Sequence, residues 1–296
     1  MESKNFSQKK FDKLLLVTYL AVGDNINVFS MVIFLLNYYN EINIPFIEKN
    51  RKYLEHLYFK YDNRVKFIKY KYKIGCLDFI KNNKDIHICD CRYDYSINWD
   101  KKMRQIYTKT NLIPKKYIFS CYNKNPITNI LNIDNIYTYN EKEDTKIIDI
   151  SGTNFYNHIG LNKKVKFDFF NLNRNYQYEN KICDQILKKY NLTKENKFNI
   201  TCDTFKNMNK KYINNDHVNI DIHNLVEFPG LLIPLFSKAE EIHLVENSNC
   251  ILIYFLIYSK ILIYKKVYIH VYCRTDDKYH ISCFKNPQLE NWIFIN

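Results

Sequence analysis

A chain of 296 residues, 46% hydrophobic and 25% charged, can bury a core as one large domain or two ordinary ones, and this composition excludes bulk disorder. The net charge of +13 attracts phosphates of any kind, but the lysines are spread along the chain, richer at Lys66–Lys73 and Lys206–Lys211, with no arginine-rich tail. Charge alone therefore does not mark a nucleic-acid binder. Abundant Tyr (26) and Phe (20) beside many Asn and Lys, with few Gly (5) and Pro (6), reflect AT-rich coding and lower the weight of any single Asn, Lys or Tyr.

The first thirteen residues are polar and basic, so no secretory signal is expected. Leu14–Thr18 reads as a strand, and Gly23-Asp24-Asn25 as the turn after it. Val28–Asn40 then carries apolar residues at helical spacing. Strands at Ile44–Glu48, Val65–Tyr70 and Ile86–Asp90 alternate with helices at Arg51–Tyr61 and Gly75–Asn82. Asn98–Thr110 reads as helix, and Tyr117–Tyr122 and Thr145–Ser151 as strands, around a loop-rich Asn123–Asp144. Tyr176–Tyr190 is a helix with Ile182, Ile186, Leu187 and Tyr190 on one face, and the polar stretch Asn191–Lys197 is the expected domain joint. Strands follow at Phe198–Cys202, Val218–Ile222, Ile242–Val245 and Val267–Tyr272, with helices at Leu231–Lys238 and Cys250–Tyr258. Leu289–Ile295 is apolar enough to pack back on the body. Strand–helix alternation in both halves predicts an α/β chain with parallel sheets, divided into 1–192 and 193–296.

Nine cysteines at irregular spacing predict free thiols in a reducing compartment, the cytoplasm. His87-Ile88-Cys89-Asp90-Cys91 resembles a metal cluster, but the alternation around it fits a buried strand and no second ligand pair matches it. Ile251–Tyr264, about fourteen residues and interrupted by Lys260, is short of the roughly 20 residues that a bilayer requires and reads as a buried helix and turn.

Ligands of open α/β sheets bind beyond the carboxyl ends of the strands. Three turns lie there: Gly23-Asp24-Asn25, Cys202-Asp203-Thr204 and Glu246-Asn247-Ser248. Asp24 is the best-placed carboxylate for a general base, or else a helix cap. Asn247 or Ser248 caps a helix whose free N–H groups suit a phosphate, and Glu246 can accept hydrogen bonds from sugar hydroxyls. Arg174 and Arg274 can each clamp a phosphate, or serve as surface ion-pair partners. His270, between apolar neighbours, is either a satisfied interior histidine or a functional one.

These blocks, in this order, resemble a group of small GT-B-like glycosyltransferases of bacteria and large DNA viruses. The resemblance runs through Val22-Gly23-Asp24-Asn25 and Phe29-Ser30, and then through Phe155-Tyr156, Gly160, Phe167–Phe170, Arg174 and Glu179. It continues with Thr201-Cys202-Asp203, Ala239-Glu240-Glu241-Ile242-His243-Leu244-Val245-Glu246-Asn247-Ser248 and Tyr268-Ile269-His270-Val271-Tyr272-Cys273-Arg274. It implies two Rossmann-like domains facing across a cleft. An acceptor hydroxyl would sit near Gly23, Asp24 and Asn25, with Asp24 as base. A nucleotide-sugar donor would be held by Arg174, Asp203, Glu246, Asn247, Ser248, His270 and Arg274. The implied partners are a nucleotide sugar as co-substrate and a glycan or other hydroxyl acceptor, with no further cofactor, no membrane span and no nucleic acid. No Asp-x-Asp follows a strand, so transfer is expected to need no metal. The chain departs from the pattern at Asn25 (usually His), Ser30 (usually Gly), Thr201-Cys202 (usually His-Asp) and Glu246-Asn247 (usually Asp-Ser). These departures leave open a catalytically degenerate relative that binds a nucleotide, glycan or protein. The composition fits a large DNA virus among other sources, in which case the compartment is the host cytoplasm.

Overall fold

The computed structural model describes residues 11–18, 20–61, 63–70, 76–83, 85–91, 118–119, 126–144, 153–193, 195–203, 208–223, 225–245, 247–263, 266–271 and 292–295. They form two α/β units. Residues 152–170 group with the first sheet, and the chain from Asn171 onward groups with the second.

The first unit runs β1 (Phe11–Val17), α1 (Val22–Leu35), β2 (Tyr39–Phe46), α2 (Arg51–Tyr58), β3 (Val65–Lys69), α3 (Leu77–Lys81), β4 (His87–Asp90) and β5 (Ile118–Phe119). Short helices α4 (Glu141–Asp144), α5 (Thr153–Asn157) and α6 (Lys164–Asp168) follow. All five strands are parallel, in the order β3-β2-β1-β4-β5. Leu14, Leu15, Leu16 and Val17 are all buried, which is why β1 reads as an unbroken apolar run. α1 buries Phe29 against Tyr58 and Phe170, and Phe34 against Phe169. Burying each ring contributes about 1.5–3 kcal/mol. Ser30 Oγ, also buried, donates to the Lys166 carbonyl at 2.7 Å and fixes α6 on α1.

The second unit runs α7 (Tyr176–Lys189), β6 (Phe198–Cys202), β7 (Val218–Asp221), α8 (Ile233–Lys238), β8 (Glu241–Val245), α9 (Ser248–Tyr258), β9 (Lys266–His270) and β10 (Trp292–Ile295). Its parallel sheet has the order β10-β9-β8-β6-β7. The last apolar stretch of the chain thus packs back as the edge strand β10. α9 is apolar all round and buries Cys250 and Leu252 through Leu256, as a core helix must. Among the described residues no helix is long and apolar enough to cross a membrane.

Several boundaries differ from expectation. The first helix starts at Val22, so Gly23, Asp24 and Asn25 form its first turn and not a separate loop. The reversal is made by Leu20, whose φ of 69° is left-handed. Tyr39 and Asn40, which continue the apolar spacing of α1, belong to β2, where Tyr39 pairs with Phe11 of β1. Pairing in the sheet outweighs a helical period here. The units divide after Phe170 and not at residue 192, because α7 packs on α8 and on the 3-10 turn Pro229–Leu232. Its buried positions are Glu179, Cys183, Ile186 and Leu187. His87-Ile88-Cys89-Asp90 is a wholly buried strand, as the alternation predicts, with His87 Nδ1 2.9 Å from the Tyr39 hydroxyl. The helix expected at 98–110 and the strand expected at 145–151 lie outside the described residues.

Gly160 has φ 84°, and a Cβ there would sit 2.5 Å from Pro126 Cβ and 2.9 Å from Thr128 Oγ1. The turn is pinned on both sides, since Gly160 N donates to the Asn157 carbonyl and Tyr139 N donates to the Gly160 carbonyl. Gly160→Ala should therefore cost about 2 kcal/mol or more. A lowered urea midpoint with an unchanged slope checks this, and a midpoint equal to that of the wild type contradicts it.

Candidate functional site

In each sheet the strand order reverses once, and ligands of such sheets bind beyond the strand ends at that point. In the first unit the reversal lies between β1 and β4, where Val17 pairs with Asp90. Past Val17, the buried Thr18 accepts a hydrogen bond on Oγ1 from Leu20 N at 3.3 Å. Leu20's left-handed backbone costs about 1–2 kcal/mol. Asn50 holds it there, with Nδ2 2.8 Å from the Leu20 carbonyl.

α1 follows with Ala21 as N-cap, which has no side-chain acceptor to offer. Asp24, at the third helical position, supplies half of a capping box by accepting the Ala21 N–H. Burial of its carboxyl outweighs that hydrogen bond and raises its pKa from 3.8 to about 6, although the residue as a whole is only half-buried. Asn25 is buried and turns back on its own helix, Nδ2 donating to the Ala21 carbonyl at 2.8 Å. Its Oδ1 has no hydrogen-bond partner among the described residues.

One residue here carries no sequence signal. His158, after α5, feels the charge of Asp90 at the end of β4, which raises its pKa against a larger lowering by burial. The segment is fixed to α1 by Tyr156, whose hydroxyl donates to the Asn27 carbonyl at 2.7 Å. His158 stands alone between Asn157 and Ile159, so no spacing could single it out. At this edge, then, a carboxylate poised near neutrality stands at a helix N-terminus. That group can take a proton from a hydroxyl.

In the second unit the reversal lies between β6 and β8. Asp203 follows β6 and accepts Met208 N on Oδ2 at 2.8 Å. Asn247 caps α9, accepting Asn249 N at 2.8 Å. The Asn249 amide donates to Cys202 Sγ at 3.0 Å, which ties the helix start to the end of β6. Burial pushes the Cys202 thiol up, against the pull of both asparagine amides. Ser248 opens the helix and is half-buried. The edge combines a helix N-terminus with a polar turn, the usual setting for an anion. Glu246 and Arg274 lie outside the described residues.

Two expected donor contacts are committed elsewhere. Arg174 binds Glu179 through Nη2 at 2.6 Å and Nε at 2.9 Å, and lies 4.4 Å over the Tyr176 ring. The pair is largely buried and not the surface ion pair that the sequence allows as the alternative. His270 has no exposed surface, and its Nε2 is 3.1 Å from His243 Nδ1. This is the interior histidine that the sequence allows, since β8 and β9 place the two rings side by side inside the unit. The file continues from His243 Nε2 to Glu241 Oε2 at 3.2 Å, and Tyr268 donates to Glu241 Oε1 at 3.1 Å while stacking on His243 at 4.5 Å.

Burial, helped by the neighbouring His243, lowers His270 from 6.5 to about 4, and burial also lowers His243. The unfolded chain therefore binds protons that the fold excludes, so stability is present above pH 6.5 and falls as pH drops toward 4. A melting temperature that declines across this window, less steeply in His270→Gln, is the expected result. An equal decline in the variant contradicts it.

No protein-family model matches the chain, and no curated protein sequence matches it. Among solved structures, the chain is similar to the crystal structure of the glycosyl transferase family 9 protein from Veillonella parvula DSM 2008, at 7% identity and a TM-score of 0.46, covering 88% of this chain and 82% of that one.

Proposed function

We propose that this protein is a glycosyltransferase that moves a sugar from a nucleotide diphosphate sugar to a hydroxyl acceptor. The observation that supports it most is Asp24, a carboxyl of pKa about 6 at the ligand edge of an α/β sheet. In this reading Asp24 takes the proton of the acceptor hydroxyl. The oxygen attacks the anomeric carbon, the bond from that carbon to the diphosphate oxygen breaks, and the nucleotide diphosphate leaves with the electron pair. The first unit, with Gly23 and Asn25 beside Asp24, binds the acceptor. The second binds the donor. The N-terminus of α9 at Asn247 and Ser248, with Arg274, stabilises the charge that grows on the diphosphate. Asp203 and Glu246 hold hydroxyls of the sugar or ribose, and His270 supports this edge from behind through His243. No metal takes part, and the nine cysteines suit a cytoplasmic setting.

A second reading is favoured by Asn25. Its side chain is bound to its own helix where the resembling family carries a histidine. A catalytically degenerate binder of a nucleotide, glycan or protein would keep both edges without turnover. A thermal-shift screen against nucleoside diphosphates and their sugar conjugates tests the reading. Protection by one donor class supports it, and no protection by any donor overturns it.

A further inference from the structure

β2 and β3 are parallel, and a groove of about 650 Å³ lies against them beside Phe46 and Lys69 at their carboxyl ends. Small-molecule sites span roughly 300–1,000 Å³. The floor is apolar. Phe67 is half-buried there, held edge-on to Phe46 at 6.3 Å and tilted against Tyr58 at 6.1 Å, so its ring orientation is set by packing. The rim is charged, with Lys66, Lys69 and Arg51 beside Glu48 and Glu55. Lys69 pairs with Glu48 at 3.1 Å, and Arg51 pairs with Glu55 at 2.8 Å and lies 4.0 Å from Glu48.

The groove is close to neutral, and both of its carboxylates sit on its cations. In a chain of net charge +13 its lining holds three cations against two carboxylates, a difference of one. A phosphorylated or acidic ligand would have to displace Glu48 and Glu55 from their partners. A neutral, hydroxyl-rich ligand can donate to the carboxylates and accept from the cations with the pairs intact. One turn links the groove to the start of α1. Glu48, which opens the 3-10 turn Glu48–Asn50, lines the groove, and Asn50 at the end of that turn holds the Leu20 carbonyl just ahead of α1.

We propose that this groove binds a neutral oligosaccharide, the part of the acceptor beyond its reacting hydroxyl. The apolar face of a pyranose ring lies on Phe67, and its hydroxyls bond the Glu48, Arg51 and Glu55 side chains. The assignment of this sugar to the acceptor rests on the proposed transfer reaction; its binding does not.

The test is an array of immobilised neutral and acidic oligosaccharides probed with the full chain. Binding confined to neutral glycans is expected, weakened about tenfold or more by Phe67→Ala. Because Phe67 packs against two other rings, a second variant avoids the core. Glu48→Gln with Glu55→Gln changes two exposed residues and frees Arg51 and Lys69. It should acquire acidic glycans that the wild type ignores. Preference of the wild type for acidic glycans, no binding at all, or neutral binding that neither variant changes would each overturn the inference. A blank array from a protein that nucleotide sugars protect sinks the groove alone. Neutral binding without donor protection sinks the transfer reaction and leaves the groove standing.

Discussion

Asp24→Asn should lose glycosyl transfer by about 10²–10⁴-fold while keeping donor-dependent thermal protection, because it removes the proton acceptor and nothing at the donor edge. The same variant should gain stability above pH 6. The Asp24 carboxyl has its pKa raised by the fold, so the native state holds its proton more tightly than the unfolded chain does. The stability it contributes is present below 3.8 and lost as pH rises through about 6. The span from 3.8 to about 6 corresponds to about 3 kcal/mol for a fully dry group, and to about 1–2 kcal/mol for a residue that keeps some solvent contact. Asparagine keeps an oxygen for the Ala21 N–H and carries no charge to desolvate. Loss of stability in Asp24→Asn near neutral pH would mean that Asp24 is a helix cap and no more.

Arg174→Met should cost about 3–5 kcal/mol, the largest stability effect expected here, because it strands the Glu179 carboxylate in a buried position. The Glu179 side chain is 3% exposed and that of Arg174 17%. Methionine keeps most of the apolar stem, so the loss reports the charge. Glu179→Gln in the same chain should recover most of it. A cost below about 1 kcal/mol would class the pair with ordinary surface bridges. The double variant also separates the two readings of Arg174. If it folds and still gains donor protection, Arg174 is a structural ion-pair partner. If it folds and loses protection, the guanidinium also holds the donor.

The sheets were legible in the sequence because parallel strands buried on both faces leave short apolar runs. Leu14–Val17 is such a run, Phe198–Cys202 and Ile242–Val245 keep apolar residues around the polar Asn199, Thr201 and His243, and each of the three forms its strand. Helix starts were less legible. Gly23 reads as a turn residue, yet a strained Leu20, held by Asn50 from thirty residues further on, makes the turn. No local pattern encodes that contact. Glu179 is not among the apolar residues that mark the buried face of α7, and its pairing with Arg174 accompanies its burial. The site was legible in part. Asp24 and Asn247 stand out because each follows a strand and opens a helix. His158 and the His270–His243–Glu241 file depend on which strands become neighbours, which a single chain of residues does not display. His270 was visible as a polar residue among apolar ones, but its partner His243 lies across the register of β8 and β9.

The measurement that tests the central claim most directly is release of nucleoside diphosphate from a panel of nucleotide sugars by the wild-type protein, with EDTA present and neutral oligosaccharides added as acceptors. Release from one donor class, undiminished by EDTA, accelerated by acceptor and absent in Asp24→Asn, is the expected result. Donor protection without any release would contradict transfer and leave a degenerate binder. Release that EDTA stops would contradict the metal-free mechanism.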